Sequence, residues 1–115
     1  MSYAGLLTDR CNVYHLKQRS RPSLYGIPSE PEYDYDAQPD LFDVPSYWVL
    51  RGSGEVVQGE PHAKVVESYL VHFDKSADIR LNDRVIFNGI SFTLQIPRNI
   101  RNHHWEVVAV REEIL

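Results

Sequence analysis

From Ser68 to Phe73, the residues Tyr69, Val71 and Phe73 alternate with Ser68, Leu70 and His72. A two-residue period of this kind marks a strand with one face buried. Downstream, Asn88-Gly89 stands between Asp83-Arg84-Val85-Ile86-Phe87 and Ile90-Ser91-Phe92-Thr93-Leu94-Gln95-Ile96. Asn-Gly is the preferred pair for a two-residue type I′ hairpin turn, where both positions need φ > 0. Such a turn sets Phe87 opposite Ile90 and Val85 opposite Phe92. Val85, Phe87, Ile90, Phe92 and Leu94 then share one face, and Arg84, Ser91, Thr93 and Gln95 the other. A slip of one residue would bury the polar set, so the pattern fixes the register. Pro97 ends this strand, and His104-Trp105-Glu106-Val107-Val108-Ala109-Val110-Arg111 supplies a last one.

Nearer the start, Cys11, Val13 and His15 alternate with Asn12, Tyr14 and Leu16, which predicts a first strand over Cys11–Lys17 after a short leading turn or helix. Gly52-Ser53-Gly54 is expected to be a turn, with a further strand starting near Glu55-Val56-Val57. About six short strands with almost no helical periodicity predict an all-β fold. The expected form is a small antiparallel β-barrel occupying residues 1–115 as a single domain.

Residues 22–47 break the pattern. They hold Pro22, Pro28, Pro31, Pro39 and Pro45, no Lys or Arg, and six acids: Glu30, Glu32, Asp34, Asp36, Asp40 and Asp43. Proline removes ladder donors and blocks helix continuation, so the segment is expected to be a long loop or arm rather than a central strand. Tyr25, Tyr33, Tyr35, Leu41, Phe42 and Tyr47 are too many large side chains for a plain solvated linker. The arm is therefore expected to order against something else, and to be variably placed in the free monomer.

The 115 residues fit one domain, and a hydrophobic fraction of 43% is enough for a single core. No apolar run is long enough for a transmembrane helix, and Met1–Leu7 lacks the basic and apolar regions of a secretory signal, so no membrane contact is expected. A single cysteine, Cys11, forms no internal disulfide and points to a reducing compartment such as the cytoplasm. The net charge of −4 lacks the basic surplus of a dedicated nucleic-acid binder.

Candidate chemistry is sparse. His103-His104-Trp105-Glu106 invites a metal reading, but neighbours on a strand point to opposite faces, so His103 and His104 do not readily share an ion. His104 and Glu106 share a face, and a third ligand would have to come from elsewhere. Glu32-Tyr33-Asp34-Tyr35-Asp36 lacks the central Gly and terminal Glu of a calcium loop. Neither a nucleophile elbow nor a phosphate-cradling loop occurs. The expectation is a protein without catalytic residues, metal or cofactor. Arg10, Lys17, Arg19 and Arg21 form one basic cluster, and Arg98, Arg101, His103 and His104 another. Either could meet the acidic arm of a neighbouring subunit. Tyr33, Tyr35, Leu41, Phe42, Trp48, Arg98 and Arg101 are the candidate interface residues, because aromatic side chains give contact area and arginines give forked donors.

Ser68-Tyr69-Leu70-Val71-His72-Phe73-Asp74, followed by Ala77-Asp78-Ile79-Arg80-Leu81-Asn82-Asp83-Arg84-Val85-Ile86-Phe87-Asn88-Gly89, resembles the head-closure (stopper, head-tail connector) proteins of tailed phages. The likeness is greatest to those of PBSX-type defective prophages. Leu94–Arg98, Asn102–Val107, Asp9-Arg10-Cys11 and Tyr25-Gly26-Ile27-Pro28 resemble the defective-prophage subgroup. The long acidic arm departs from the shortest members. The resemblance implies a β-barrel that self-associates into a ring between the portal and adaptor on one side and tail-completion proteins on the other. DNA would pass through without sequence-specific binding. It implies assembly in the cytoplasm of a bacterial host and residence in the virion neck. The alternative reading of the residues is a soluble small β-barrel binding module for single-stranded nucleic acid or a small ligand.

Overall fold

The computed structural model describes residues 3–19, 32–57 and 64–114. A 3₁₀ turn (Tyr3–Leu6) leads into nine strands: β1 (Asp9–Tyr14), β2 (Lys17–Arg19), β3 (Glu32–Asp34), β4 (Leu41–Val57), β5 (Lys64–Asp74), β6 (Arg84–Phe87), β7 (Ile90–Leu94), β8 (Arg98–Ile100) and β9 (His104–Ile114). Six of them form a ring in the order β5-β4-β1-β6-β7-β9, and β9 pairs back onto β5. The expected all-β, six-stranded antiparallel barrel is therefore the observed one. β8 pairs with β9 outside the ring, and β2 and β3 form a separate hairpin.

The alternation predicted for β1, β5 and the β6–β7 hairpin helps fill the interior. Cys11, Val13, Val71, Phe73, Val85, Phe92, Leu94, Val107 and Ala109 are all buried, most of them completely. The Asn88-Gly89 turn has φ of 51° and 76°, the left-handed pair a type I′ turn requires. Its register pairs Phe87 with Ile90 and Val85 with Phe92 as expected. Within that hairpin, Ile90 lies at the rim and stays exposed. Ile79, in the loop between β5 and β6, is buried and packs into the core cluster.

Trp48 anchors the interior. Its ring stacks on Phe87 at a centroid separation of 4.3 Å and 9° between planes, with Tyr69 and Phe92 packed against it at steeper angles. Its indole N–H donates to Ser46 Oγ at 3.0 Å, which satisfies the ring's one polar group inside the core. The placement of Trp48 among interface residues is thus corrected: its side chain is part of the core and unavailable to a neighbour.

The arm reading is corrected at its C-terminal end as well. Leu41–Tyr47 belongs to β4, a central strand, and Leu41 packs against the core. Pro45 is tolerated there because β4 has only β1 beside it at that point, its pairing with β5 starting at Ser46. Gly52-Ser53-Gly54 is not a turn either. β4 runs straight through it, and the glycines coincide with register shifts against β5, where an unpaired residue is absorbed as a bulge. Residues 20–31, with Arg21, Pro22, Tyr25, Gly26, Ile27, Pro28 and Glu30, lie outside the described residues.

Two substitutions separate core from surface. Trp48→Ala is expected to lower the unfolding free energy by about 3–5 kcal/mol. Phe42→Ala, at a side chain 77% exposed, is expected to change it by no more than about 0.5 kcal/mol. Urea denaturation of both variants measures the difference.

Candidate functional site

The acidic segment and the first basic cluster meet within one chain. β2 carries Lys17 and Arg19, and β3 lies antiparallel to it, with Lys17 opposite Asp34. Beyond β3 the chain turns back along the barrel. Lys17 Nζ bonds to Asp36 and to Asp40 (2.5 Å to the latter), and Arg19 bonds to Asp36. Asp40 also accepts the His15 backbone N–H at 2.8 Å, and its own N–H donates to Val13 O at 2.9 Å. The ammonium and guanidinium beside Asp36 hold its carboxyl below the usual carboxylate range. Lys17 and then the His15 amide do the same for Asp40, and the two acids raise the Lys17 ammonium in turn. Asp36 and Asp40 thus neutralise their own chain's basic residues, a pairing sequence patterning had offered to a neighbouring subunit.

Tyr35 ties the same segment to the barrel. Its hydroxyl donates to Asn82 O at 2.6 Å, and the Arg84 guanidinium lies 4.2 Å from the centre of its ring. Over residues 32–40 the segment is therefore seated on the barrel. Left facing solvent are Tyr33 (61% exposed) and Phe42, together with Asp34 and Asp43, while Glu32 is exposed at the surface of the hairpin. Asp43 holds φ of 55° at a bulge, where its N–H donates to Asn12 Oδ1 at 2.9 Å. That backbone kink carries the neighbouring Phe42 outward.

Asp78, Ile79, Arg80 and Asp83, in the motif that drew the phage resemblance, each have a structural role. Asp78 and Arg80 form an exposed ion pair at 2.8 Å. Ile79 enters the core. Asp83, almost fully buried, accepts the Arg80 N–H at 2.7 Å and faces His15 Nδ1 with both carboxylate oxygens at 3.0 Å. Burial raises the Asp83 carboxyl above its ordinary range, against the opposing pull of His15 and the Arg80 amide. This pair is buried where β1 ends and β6 begins.

At the second basic cluster, Arg98 starts β8, and Arg101 and Asn102 form the turn into β9 with φ of 51° and 56°. Arg98 and Arg101 are both exposed. His104 and Glu106 share the outer face of β9, and the register places His72 of β5 directly opposite Glu106. Sequence reasoning missed His72, because only the long-range β5–β9 register brings it there. Cys11 is buried, and burial pushes its thiol up to about 11, so it stays protonated. A groove of about 1200 Å³ crosses the outer face, with Leu70, Thr93, Gln95, Arg98 and Val108 among its lining.

Comparison with known proteins adds identity to this geometry. The family described as "Domain of unknown function (DUF3599)" matches residues 1–113. The chain is 46% identical to "Uncharacterized protein YqbH" of Bacillus subtilis (strain 168), covering 97% of each. It is 44% identical to "Phage-like element PBSX protein XkdH" of the same organism, covering 100% of both. A solved structure of the PBSX protein XkdH superposes with a TM-score of 0.68 at 41% identity, covering 90% of this chain and 92% of that one.

The Lys17 cluster predicts an acid-sensitive increment of stability. The Asp40 carboxyl sits below its ordinary value in the folded state, so between the folded and unfolded values the folded chain binds fewer protons. Stability must then fall as pH drops through that interval. The wild-type protein is expected to exceed Asp40→Asn in stability at pH 7. The gap should shrink as pH falls below about 4 and narrow in high salt. Urea titrations across pH measure it.

Proposed function

This chain belongs to the family described as Domain of unknown function (DUF3599), and from that membership we propose that it is a structural protein of a phage or prophage, acting in head closure at the neck. The observation that carries this reading is the end-to-end match to a PBSX phage-like element protein. In the proposed role the barrel self-associates into a ring. One side docks to the portal and adaptor, the other receives tail-completion proteins, and DNA passes through the centre. Assembly takes place in the host cytoplasm, and no catalytic step is required of any residue.

The distribution of exposed groups supports this reading. Tyr33 and Phe42 project from the β2–β3 hairpin and from the start of β4, where the fold has no use for exposed aromatic rings. Exposed aromatic side chains are common anchors of protein interfaces. Tyr35 and Leu41 are partly committed to the barrel and contribute less. Arg98 and Arg101 form a second contact point at the β8–β9 end. Arg101 occupies a left-handed conformation that glycine adopts at lower cost, so the requirements of the turn do not explain an arginine there. A guanidinium offered to an acidic surface does explain it.

The groove over β7 and β9 favours one other reading, a binding module for single-stranded nucleic acid. It presents Arg98 and polar side chains, but among the described residues it has no aromatic platform for base stacking. Salt-sensitive binding of an oligonucleotide by the isolated chain would favour it.

Arg101→Gly tests the neck assignment by moving stability and assembly in opposite directions. The variant is expected to gain up to about 1 kcal/mol while losing retention of the neighbouring adaptor and tail-completion proteins in a pull-down. Tyr33→Ala with Phe42→Ala should lose retention at unchanged stability. Wild-type protein that retains none of these partners, alone or co-expressed with them, would overturn the assignment.

A further inference from the structure

We propose that His72, His104 and Glu106 form a binding site for a divalent transition-metal ion such as zinc. One potential ligand atom from each residue lies within 4.8 Å of the other two. Glu106 Oε1 is 3.0 Å from His104 Nε2 and 3.7 Å from His72 Nδ1. Ligands about 2.0–2.1 Å from a tetrahedral zinc ion stand roughly 3.3 Å apart, so small side-chain rotations bring all three to a common centre.

The backbone makes this convergence a fixed feature. His72 and Glu106 are direct cross-strand partners in the β5–β9 ladder. His104 lies two residues before Glu106 and therefore on the same face. β5 and β9 pair residue for residue over all 11 positions without a register shift, so the three Cα positions are held in a continuous ladder. The side chains are 21%, 13% and 31% exposed respectively, enclosed enough to limit competition from water and open enough to admit an ion. Partial burial lowers the His72 imidazole toward its neutral, ligating form.

The hydrogen-bond chain around the site fits an ion. His103 Nδ1 lies 2.7 Å from His104 Nδ1. With His104 Nδ1–H donated to His103, Nε2 carries the lone pair that would ligate an ion beside Glu106. A proton between His104 Nε2 and Glu106 satisfies those two atoms as well, but it gives no role to His72, whose Nδ1 approaches the same carboxylate oxygen. Three side-chain ligands from two strands match the donor set of zinc sites that keep an open position. That open position faces solvent and is accessible to water or to a side chain of a neighbouring molecule. Arg98, opposite Glu106 across the β8–β9 pairing, is exposed, and Tyr47 packs its ring 6.0 Å from His72.

The site is tested on full-length protein without an affinity tag, stripped with a chelator and titrated with Zn²⁺ by calorimetry and with Co²⁺ by visible absorption. Saturable binding of one ion per chain is expected, with Co²⁺ bands of tetrahedral intensity and a raised melting temperature in Zn²⁺. His72→Gln and His104→Gln should each weaken binding at least about tenfold while leaving the metal-free circular dichroism spectrum unchanged. Absence of saturable binding by the wild-type chain, or binding that both variants retain undiminished, would overturn the assignment. Should a variant fail to fold, the wild-type Co²⁺ spectrum still decides: absent bands count against the site. None of these outcomes bears on the neck assignment, which rests on other residues.

Discussion

The pairing of β5 with β9 is the constraint on which the rest of the molecule depends. These two 11-residue strands run antiparallel from Lys64 opposite Ile114 to Asp74 opposite His104. Without that ladder the other barrel strands make an open sheet with two bare edges and an exposed apolar face. With it, Phe73, Val71, Val107 and Ala109 enter a closed interior and share one core cluster with Trp48, Val85, Phe92 and Leu94. The strands are distant in sequence, so closure costs loop entropy that local hairpins do not. Burial of this interior is what offsets that cost.

Closure also decides what is left outside. Residues 32–40 are held on the barrel by Lys17, Asp36 and Asp40 and by the Tyr35–Asn82 hydrogen bond. The His15–Asp83 pair is buried where β1 ends and β6 begins. Lys17, Arg19, Asp36 and Asp40 pair their charges with one another within the chain. Among the surfaces that remain are the projecting aromatics Tyr33 and Phe42 and the arginine-bearing β8–β9 turn. A preformed barrel with short projecting contact points suits a ring subunit, because little of the fold must reorder on assembly.

Local signals in the sequence were the readable ones. Asn88-Gly89 with alternating flanks gave the β6–β7 register to the residue, and the alternation at Tyr69–Phe73 and Cys11–His15 identified inward faces correctly. β8 escaped notice because its turn uses Arg101 and Asn102 in left-handed conformations, with no glycine to mark it. Pro45 and Gly52-Ser53-Gly54 suggested interruption, yet β4 accommodates them through one-sided pairing and bulges that depend on its neighbours. Trp48 has the composition of an interface anchor, and only closure of the barrel turns it inward. The histidine–glutamate cluster lay beyond local reading for the same reason, since His72 reaches Glu106 through the β5–β9 register alone.

The central proposal is that a finished barrel docks to partner proteins through the β2–β3 side and the β8–β9 turn. Hydrogen–deuterium exchange on the free chain and on the chain bound to its adaptor tests it most directly. The account predicts new protection at residues 32–42 and 98–103 on binding, with β5 and β9 equally protected in both states. New protection confined to other surfaces, or a β5–β9 ladder that becomes protected only on binding, would contradict it.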